Sequence, residues 1–291
     1  MAVELENENR IISEFLQIIG PWRDHIVIGG GYAPIIYKLY LADQRLENSP
    51  VGTTDIDSLI PRKVPEVSQK NIARHLQEAG FSPVFRDYDQ PATEAYVREM
   101  NGLEVEIEFL TDSNTRNGKT KNVIISGIVA QPLSYLVLSL LMTLEFKTDS
   151  GEVGRVVSPG AWLFHKGLTF TRRKRPAKIH KDLYGIWYVA TQLGSFSEQA
   201  IREVHFLAEQ HPKWFKTFQE NLRHWIKHAT PLEWAKLETQ EPSGKLKRLH
   251  FEGTVNRLVK VISQTKKPKD TLIDFFNRAP FSDEDLDVTR D

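Results

Sequence analysis

The chain has 291 residues, room for one large domain or two of ordinary size, and no cysteine, which excludes a disulfide framework and a thiolate metal site. Lys plus Arg equal Asp plus Glu at 38 each, so the overall charge does not mark a nucleic-acid-binding protein, and any such surface must come from local clustering. The acidic start (Glu4, Glu6, Glu8) lacks the basic-then-apolar order of a secretory signal, and the most apolar stretch, Leu133 to Leu144, is too short for a membrane span; a cytoplasmic protein without a membrane partner is expected.

In chain order, Ile11, Ile12, Phe15, Leu16, Ile18 and Ile19 recur at helical spacing, and Gly20-Pro21 ends that helix. His25 to Ile28 is a short apolar run bounded by glycines and reads as a buried strand. Tyr32 to Leu41 reads as a helix with Pro34 tolerated in its first turn. Asp55 to Ile60 reads as a strand ended by Pro61, and Val67 to Ala79 as an amphipathic helix ended by Gly80. Phe81 to Phe85 and Ala95 to Met100 are expected strands, and Asn101-Gly102 is a hairpin signal leading into Leu103 to Leu110, where acidic and apolar residues alternate. From about Gln131 helical patterns dominate. The expected fold class is α/β: a mixed sheet with flanking helices over residues 1–125, followed by a mainly helical domain over 126–280 and an acidic tail, 281–291, without fixed structure.

The acidic residues on the strands carry the chemistry. Side chains two apart on a strand share a face, so Asp55 and Asp57 point together while Ile56 faces the core. On the later strand Glu104, Glu106 and Glu108 share one face, and Val105, Ile107 and Phe109 the other. Taken alone, that face also suits a solvated sheet edge; together with Asp55 and Asp57 it supplies hard oxygen ligands for Mg²⁺. Gly29, Gly30 and Gly31 lie between a strand and a helix, where a close backbone and a helix amino terminus can hold phosphates. Tyr32-Ala33-Pro34 follows, so the turn is neither a P-loop nor a dinucleotide fingerprint. Arg172, Arg173, Lys174 and Arg175, then Lys178, His180 and Lys181, form a local attractor for anions; a solvated loop between helices is the plainer alternative.

Ile28-Gly29-Gly30-Gly31-Tyr32-Ala33 followed by Thr53-Thr54-Asp55-Ile56-Asp57-Ser58-Leu59 resembles the DNA-polymerase-β-like nucleotidyltransferase superfamily. Within it, Phe164-His165-Lys166-Gly167-Leu168 and Lys181-Asp182-Leu183-Tyr184-Gly185-Ile186 are similar to segments of the bacterial AbiEii-type abortive-infection toxins. The resemblance implies Asp55, Asp57 and Glu108 (alternatively Glu106) as ligands of two Mg²⁺ ions. It implies Gly30 and Gly31 at the triphosphate, Lys166 beside the phosphates or stabilising charge, and Asp182 as a second functional acid; Thr54, next to Asp55, and Arg172 and Arg173 of the basic run are expected as further phosphate contacts. The chain departs from the pattern in having Glu108 for the usual Asp and Gly185 where a second Asp is often found.

The expected function is transfer of an NMP from an NTP to an acceptor hydroxyl, with RNA such as a tRNA end, or a protein, as acceptor, and an antitoxin-like protein as a partner. Two rivals follow from the residues. One is a catalytically weak module that binds NTP or nucleic acid. The other is a metal-dependent nuclease built on Glu145-Phe146-Lys147. His224 and His228, four apart on a helix, lack an evident third ligand, and the tryptophans of the second half are expected in the core.

Overall fold

Acidic and apolar residues alternate from Glu104 to Phe109 in β5 (Leu103–Asp112), whose Val105, Ile107 and Phe109 are completely buried. The computed structural model describes residues 5–43, 50, 52–87, 91–100, 102–113 and 121–260. Along one side β5 pairs in parallel with β2 (Asp55–Leu59), and along the other it pairs antiparallel with β4 (Glu94–Met100). Met100 stands opposite Leu103, so the connection is two residues long, as Asn101-Gly102 predicts, and Gly102 adopts φ +75°. β4 pairs in turn with β3 (Ser82–Phe85), an edge strand in which Pro83 is tolerated.

On the far side of β2 lies β1 (Val27–Ile28), antiparallel to it and buried. β1 leads through the glycine turn into α2 (Tyr32–Ile36), which runs on as one π-helical turn, Tyr37–Leu41. α1 (Leu5–Ile18) buries Ile11, Ile12, Phe15 and Leu16 against the core. α3 (Ile72–Glu78) starts five residues later than the apolar pattern suggests, because the Asn71 side chain accepts the Arg74 amide and caps the helix there.

The sheet continues past residue 125. β6 (Val123–Ile125) and β7 (Ile128–Leu133) form a hairpin whose second strand pairs in parallel with the end of β5. After α4 (Val137–Leu141), β8 (Thr143–Lys147) and β9 (Val153–Val157) form another, and β9 lies parallel to β1. The nine strands thus run β3-β4-β5-β2-β1-β9-β8, with β7 and β6 beside β5. The change to helix comes after Val157, not near Gln131, since the short runs that make β7 to β9 lack the length by which a strand announces itself.

Among the described residues six α-helices follow: α5 (Pro159–Thr169), α6 (Pro176–Thr191), α7 (Ser195–Gln210), α8 (Pro212–His228), α9 (Pro231–Glu238) and α10 (Arg248–Val259). Ser158 caps α5 and Thr230 closes a capping box with Glu233 on α9. Phe164 of α5 packs with near-parallel rings against Phe215 and Phe218 of α8, and Trp162, Trp187 and Trp234 are buried, as expected of core residues. The chain divides after Lys260, so the expected acidic tail and the end of the second expected domain lie outside the described residues. None of the described helices is long and apolar enough to cross a membrane.

Gly167 lets α5 and α8 meet, because a Cβ there would overlap the Phe218 ring. That ring is held by Phe164 and Phe215 and has nowhere to move. Gly167→Ala should therefore lower unfolding stability by about 1–3 kcal/mol despite its better helix propensity, a loss read by urea denaturation.

Candidate active site

The parallel pairing of β2 with β5 sets Asp55 beside Glu106 and Asp57 beside Glu108, all on one face. Glu106 is engaged by Arg86, whose Nη2 lies 2.6 Å from its Oε1. Glu108 has no such partner in the ion pairs of the described residues. Burial pushes its carboxyl up to about 7, and the neighbouring Asp57, Glu106 and Asp55 push in the same direction. Burial also raises Asp57, with Asp55 adding to the rise, while Lys166 opposes it. Glu108 rather than Glu106 is thus the acid left facing Asp57.

The glycine turn closes over this pair. Gly30 has φ +51°, and a Cβ on it would occupy the space of the Asp57 carboxylate. The Gly29 amide donates to the Asp57 carbonyl at 2.9 Å, and the Gly30 carbonyl accepts from the Trp162 indole at 2.8 Å. Gly31 sits against the Thr53 side chain, whose hydroxyl accepts weakly from the Asp55 amide at 3.4 Å. Thr54 lies at the start of β2, its carbonyl accepting from the Glu106 amide at 3.0 Å. A pocket lined by Gly31, Pro34, Trp162, Lys166, Tyr184 and Tyr188, among others, opens beside the turn.

Bases from the helical half face the acids. Lys166, buried on α5, donates to Asp182 Oδ1 at 2.6 Å, and Arg173 donates to Asp182 Oδ2 at 2.8 Å. Both oxygens of Asp182 are engaged, and the two bases hold its carboxyl below the usual range against the effect of burial. Asp182 therefore positions Lys166 and Arg173. The fields of Lys166, Arg173 and Lys178 reach Asp57, and that of Lys178 reaches Glu108. Lys181 donates to the Gly52 carbonyl at 3.1 Å, and burial lowers it while Asp55 holds it up. Arg172, grouped with Arg173 in the sequence reading, turns away and lies over the Tyr135 ring. Gly185 is required for packing, since a Cβ there would come 2.7 Å from the Trp162 ring; an Asp at that position would push the indole off Gly30.

The set fits a hard divalent cation in its chemistry: carboxylate oxygens on adjacent strands, whose mutual repulsion a positive ion would relieve. As the side chains stand, no group of three or more His, Asp or Glu among the described residues is drawn close enough to hold an ion. The His224 and His228 pair is exposed on α8. Glu145 and Lys147 are exposed on β8, the edge strand separated from β5 by β2, β1 and β9, so the nuclease constellation is not assembled.

A nucleotidyltransferase family model matches residues 7–205, which span the sheet, the glycine turn, both carboxylate strands and the Lys166–Asp182 pair. The chain belongs to this nucleotidyltransferase family. No curated protein matches it. Among solved structures it is similar to an antigenic nucleotidyltransferase-like protein from Paracoccidioides brasiliensis, with 15% identity, a TM-score of 0.38, and coverage of 74% of this chain and 93% of that one. A likeness of that size carries no argument about the site.

Arg86, Thr53 and Trp162 join this candidate site without having been singled out for it by the sequence. Arg86 follows an edge strand and Trp162 lies in the first turn of a helix far along the chain; only the assembled sheet brings Arg86 to Glu106 and Trp162 to Gly30. Lys178 and Lys181 were visible in the basic run but not separable from Arg172, because their helical phase decides which of them face the acids.

Gly30→Ala should displace the Asp57 carboxylate and weaken any Mg²⁺·NTP binding at least about tenfold, measured by titration calorimetry. Glu108 supplies a pH test. A carboxyl whose folded-state value is raised favours folding below its ordinary value and loses that contribution as pH rises through about 7. Glu108→Gln should therefore flatten the fall in unfolding stability between about pH 5 and 8. Above pH 7 the metal-free variant should be more stable than wild type, by about 1–3 kcal/mol at most, in urea titrations at each pH.

Proposed function

We propose that the protein moves a nucleoside monophosphate from an NTP to an acceptor hydroxyl, with Mg²⁺ held by Asp55, Asp57 and Glu108. The observation that carries this reading is the register that sets Asp57 beside Glu108 under the Gly30 backbone, facing Lys166 and Arg173. When bound, divalent ions would neutralise the triphosphate and lower the cost of charge at the α-phosphorus. Gly30, Gly31 and the start of α2 would receive the phosphates, Thr54 would lie at their edge, and the pocket at Trp162 and Tyr184 would receive the nucleoside. Lys166 and Arg173, fixed by Asp182, would balance the negative charge of the departing pyrophosphate.

In the transfer, the acceptor oxygen forms a bond to the α-phosphorus as the bond to the β-phosphate oxygen breaks, and pyrophosphate leaves with that electron pair. One of the site's carboxylates would accept the hydroxyl proton. RNA is the acceptor we favour, and the likeness to the AbiEii-type toxins extends the proposal to an antitoxin-like protein partner. A module that binds NTP without turning it over is the second reading, motivated by Glu108 for the usual Asp and Gly185 where a second Asp is often found.

Incubation with each labelled NTP, Mg²⁺ and total RNA should transfer label and release pyrophosphate. Asp57→Asn should reduce the rate by at least about a hundredfold, roughly 3 kcal/mol of lost transition-state stabilisation. An Asp57→Asn protein as active as wild type would remove the assignment. NTP binding without pyrophosphate release on any acceptor would establish the second reading.

A further inference from the structure

A run of stacked planar side chains near the carboxylate site is left unused by nucleotidyl transfer itself. The Arg172 guanidinium lies 5.2 Å from the centroid of the Tyr135 ring, and its Nη2 donates to the Tyr135 hydroxyl at 3.3 Å. Tyr135 meets Trp214 edge-on at 5.2 Å, and Trp214 stacks on His211 at 4.7 Å with the two planes 15° apart. The four groups come from separate places: the turn after β7, the loop after α5 and the start of α8. Arg172 is exposed and the other three are half-buried, unlike Trp187, which is enclosed in the core.

The backbone at Tyr135 points the same way. Its φ is +65°, a conformation that glycine adopts without cost and tyrosine does not. The turn alone has no need of a ring there; what tyrosine adds is an aromatic face at the surface. Exposed Lys174, Arg175 and Lys178 lie just beyond Arg172 and enter no ion pair among the described residues. The ladder also abuts the acids. Arg173, next to Arg172, pairs with Asp182 and feels Asp57 and Glu108. Ser134, next to Tyr135, lies with its backbone against the buried His165, beside Lys166.

We infer that the ladder Arg172–Tyr135–Trp214–His211, flanked by Lys174, Arg175 and Lys178, binds a single-stranded polynucleotide whose end is presented to the carboxylate site. Aromatic and guanidinium planes stack on unpaired bases whatever their identity, and the lysines and arginine take the phosphates. A duplex hides its base faces and can use only the charges. Binding by the ladder stands on the stacking geometry; the role of the bound strand as acceptor rests on the nucleotidyl-transfer reading.

The test is fluorescence anisotropy on the full chain without NTP, using a labelled oligonucleotide of about twelve residues as single-stranded RNA, as single-stranded DNA and as the RNA duplex. Either single strand should bind about tenfold more tightly than the duplex, and comparison of the two names the polynucleotide. Tyr135→Gly, which suits the backbone and so keeps the fold, should lose about tenfold in single-strand affinity, while Tyr135→Phe should keep it. The double variant Lys174→Ala, Arg175→Ala should lower the slope of log affinity against log salt by about 1.4. Equal binding of duplex and single strand, or wild-type affinity in Tyr135→Gly, would overturn the ladder. Extension of a labelled strand by wild type, assayed separately with NTP and Mg²⁺, keeps the two readings apart: binding without extension upholds the ladder and removes its acceptor role, and extension with a dispensable Tyr135 removes the ladder alone.

Discussion

Parallel pairing of β2 with β5 brings like charges side by side, and the rest of the site answers that electrostatic demand. Asp57 and Glu108 share one register position, and Asp55 and Glu106 the next. Opposed carboxylates on a sheet destabilise it unless they are protonated, paired or bound to a cation. Each remedy is present in part. Glu106 is paired with Arg86, Glu108 is held near neutrality by burial and its neighbours, and Asp57 faces Lys166. The fold is therefore stable with the acids in place, yet a positive ion would still relieve the repulsion that remains.

The opposing charge comes from the helical half. Lys166 and Arg173 are fixed by one carboxylate, Asp182, and a buried, doubly paired group of that kind adds little net stability relative to apolar packing. What it supplies is position: two cations held at the mouth of a cleft where a polyanion would lie. Trp162 ties the same helix to the glycine turn through the Gly30 carbonyl, and Gly185 leaves room for the indole. The candidate site is thus shared between the sheet and α5–α6. Arg172 lies over the Tyr135 ring, while its neighbour Arg173 turns to Asp182.

Much of the sheet was legible where the pattern is long or the turn chemistry strong. The alternation from Leu103, the Asn101-Gly102 signal and the Asp55-Ile56-Asp57 strand all stand where the residues indicate. β7, β8 and β9 were not legible. Runs of five or six residues such as Val153–Val157 carry too little periodicity to separate a buried strand from a stretch of helix, and the fact that decides β9, its pairing with β1, spans more than a hundred residues. The start of α3 was missed for another reason: Val67 lies at helical spacing from the apolar residues that follow, but the Asn71 cap begins the helix after it.

The sequence by itself determined which face of each strand the acids occupy, because side-chain alternation is a property of the extended backbone, and it determined that a glycine turn precedes them. Tertiary structure alone decided which glutamate stands beside Asp57, because that is a matter of register between strands some fifty residues apart. It likewise decided which bases face inward: Arg172 and Arg173 are neighbours in the chain, yet one stacks on Tyr135 and the other pairs with Asp182, a choice made by the direction of the chain as it leaves α5.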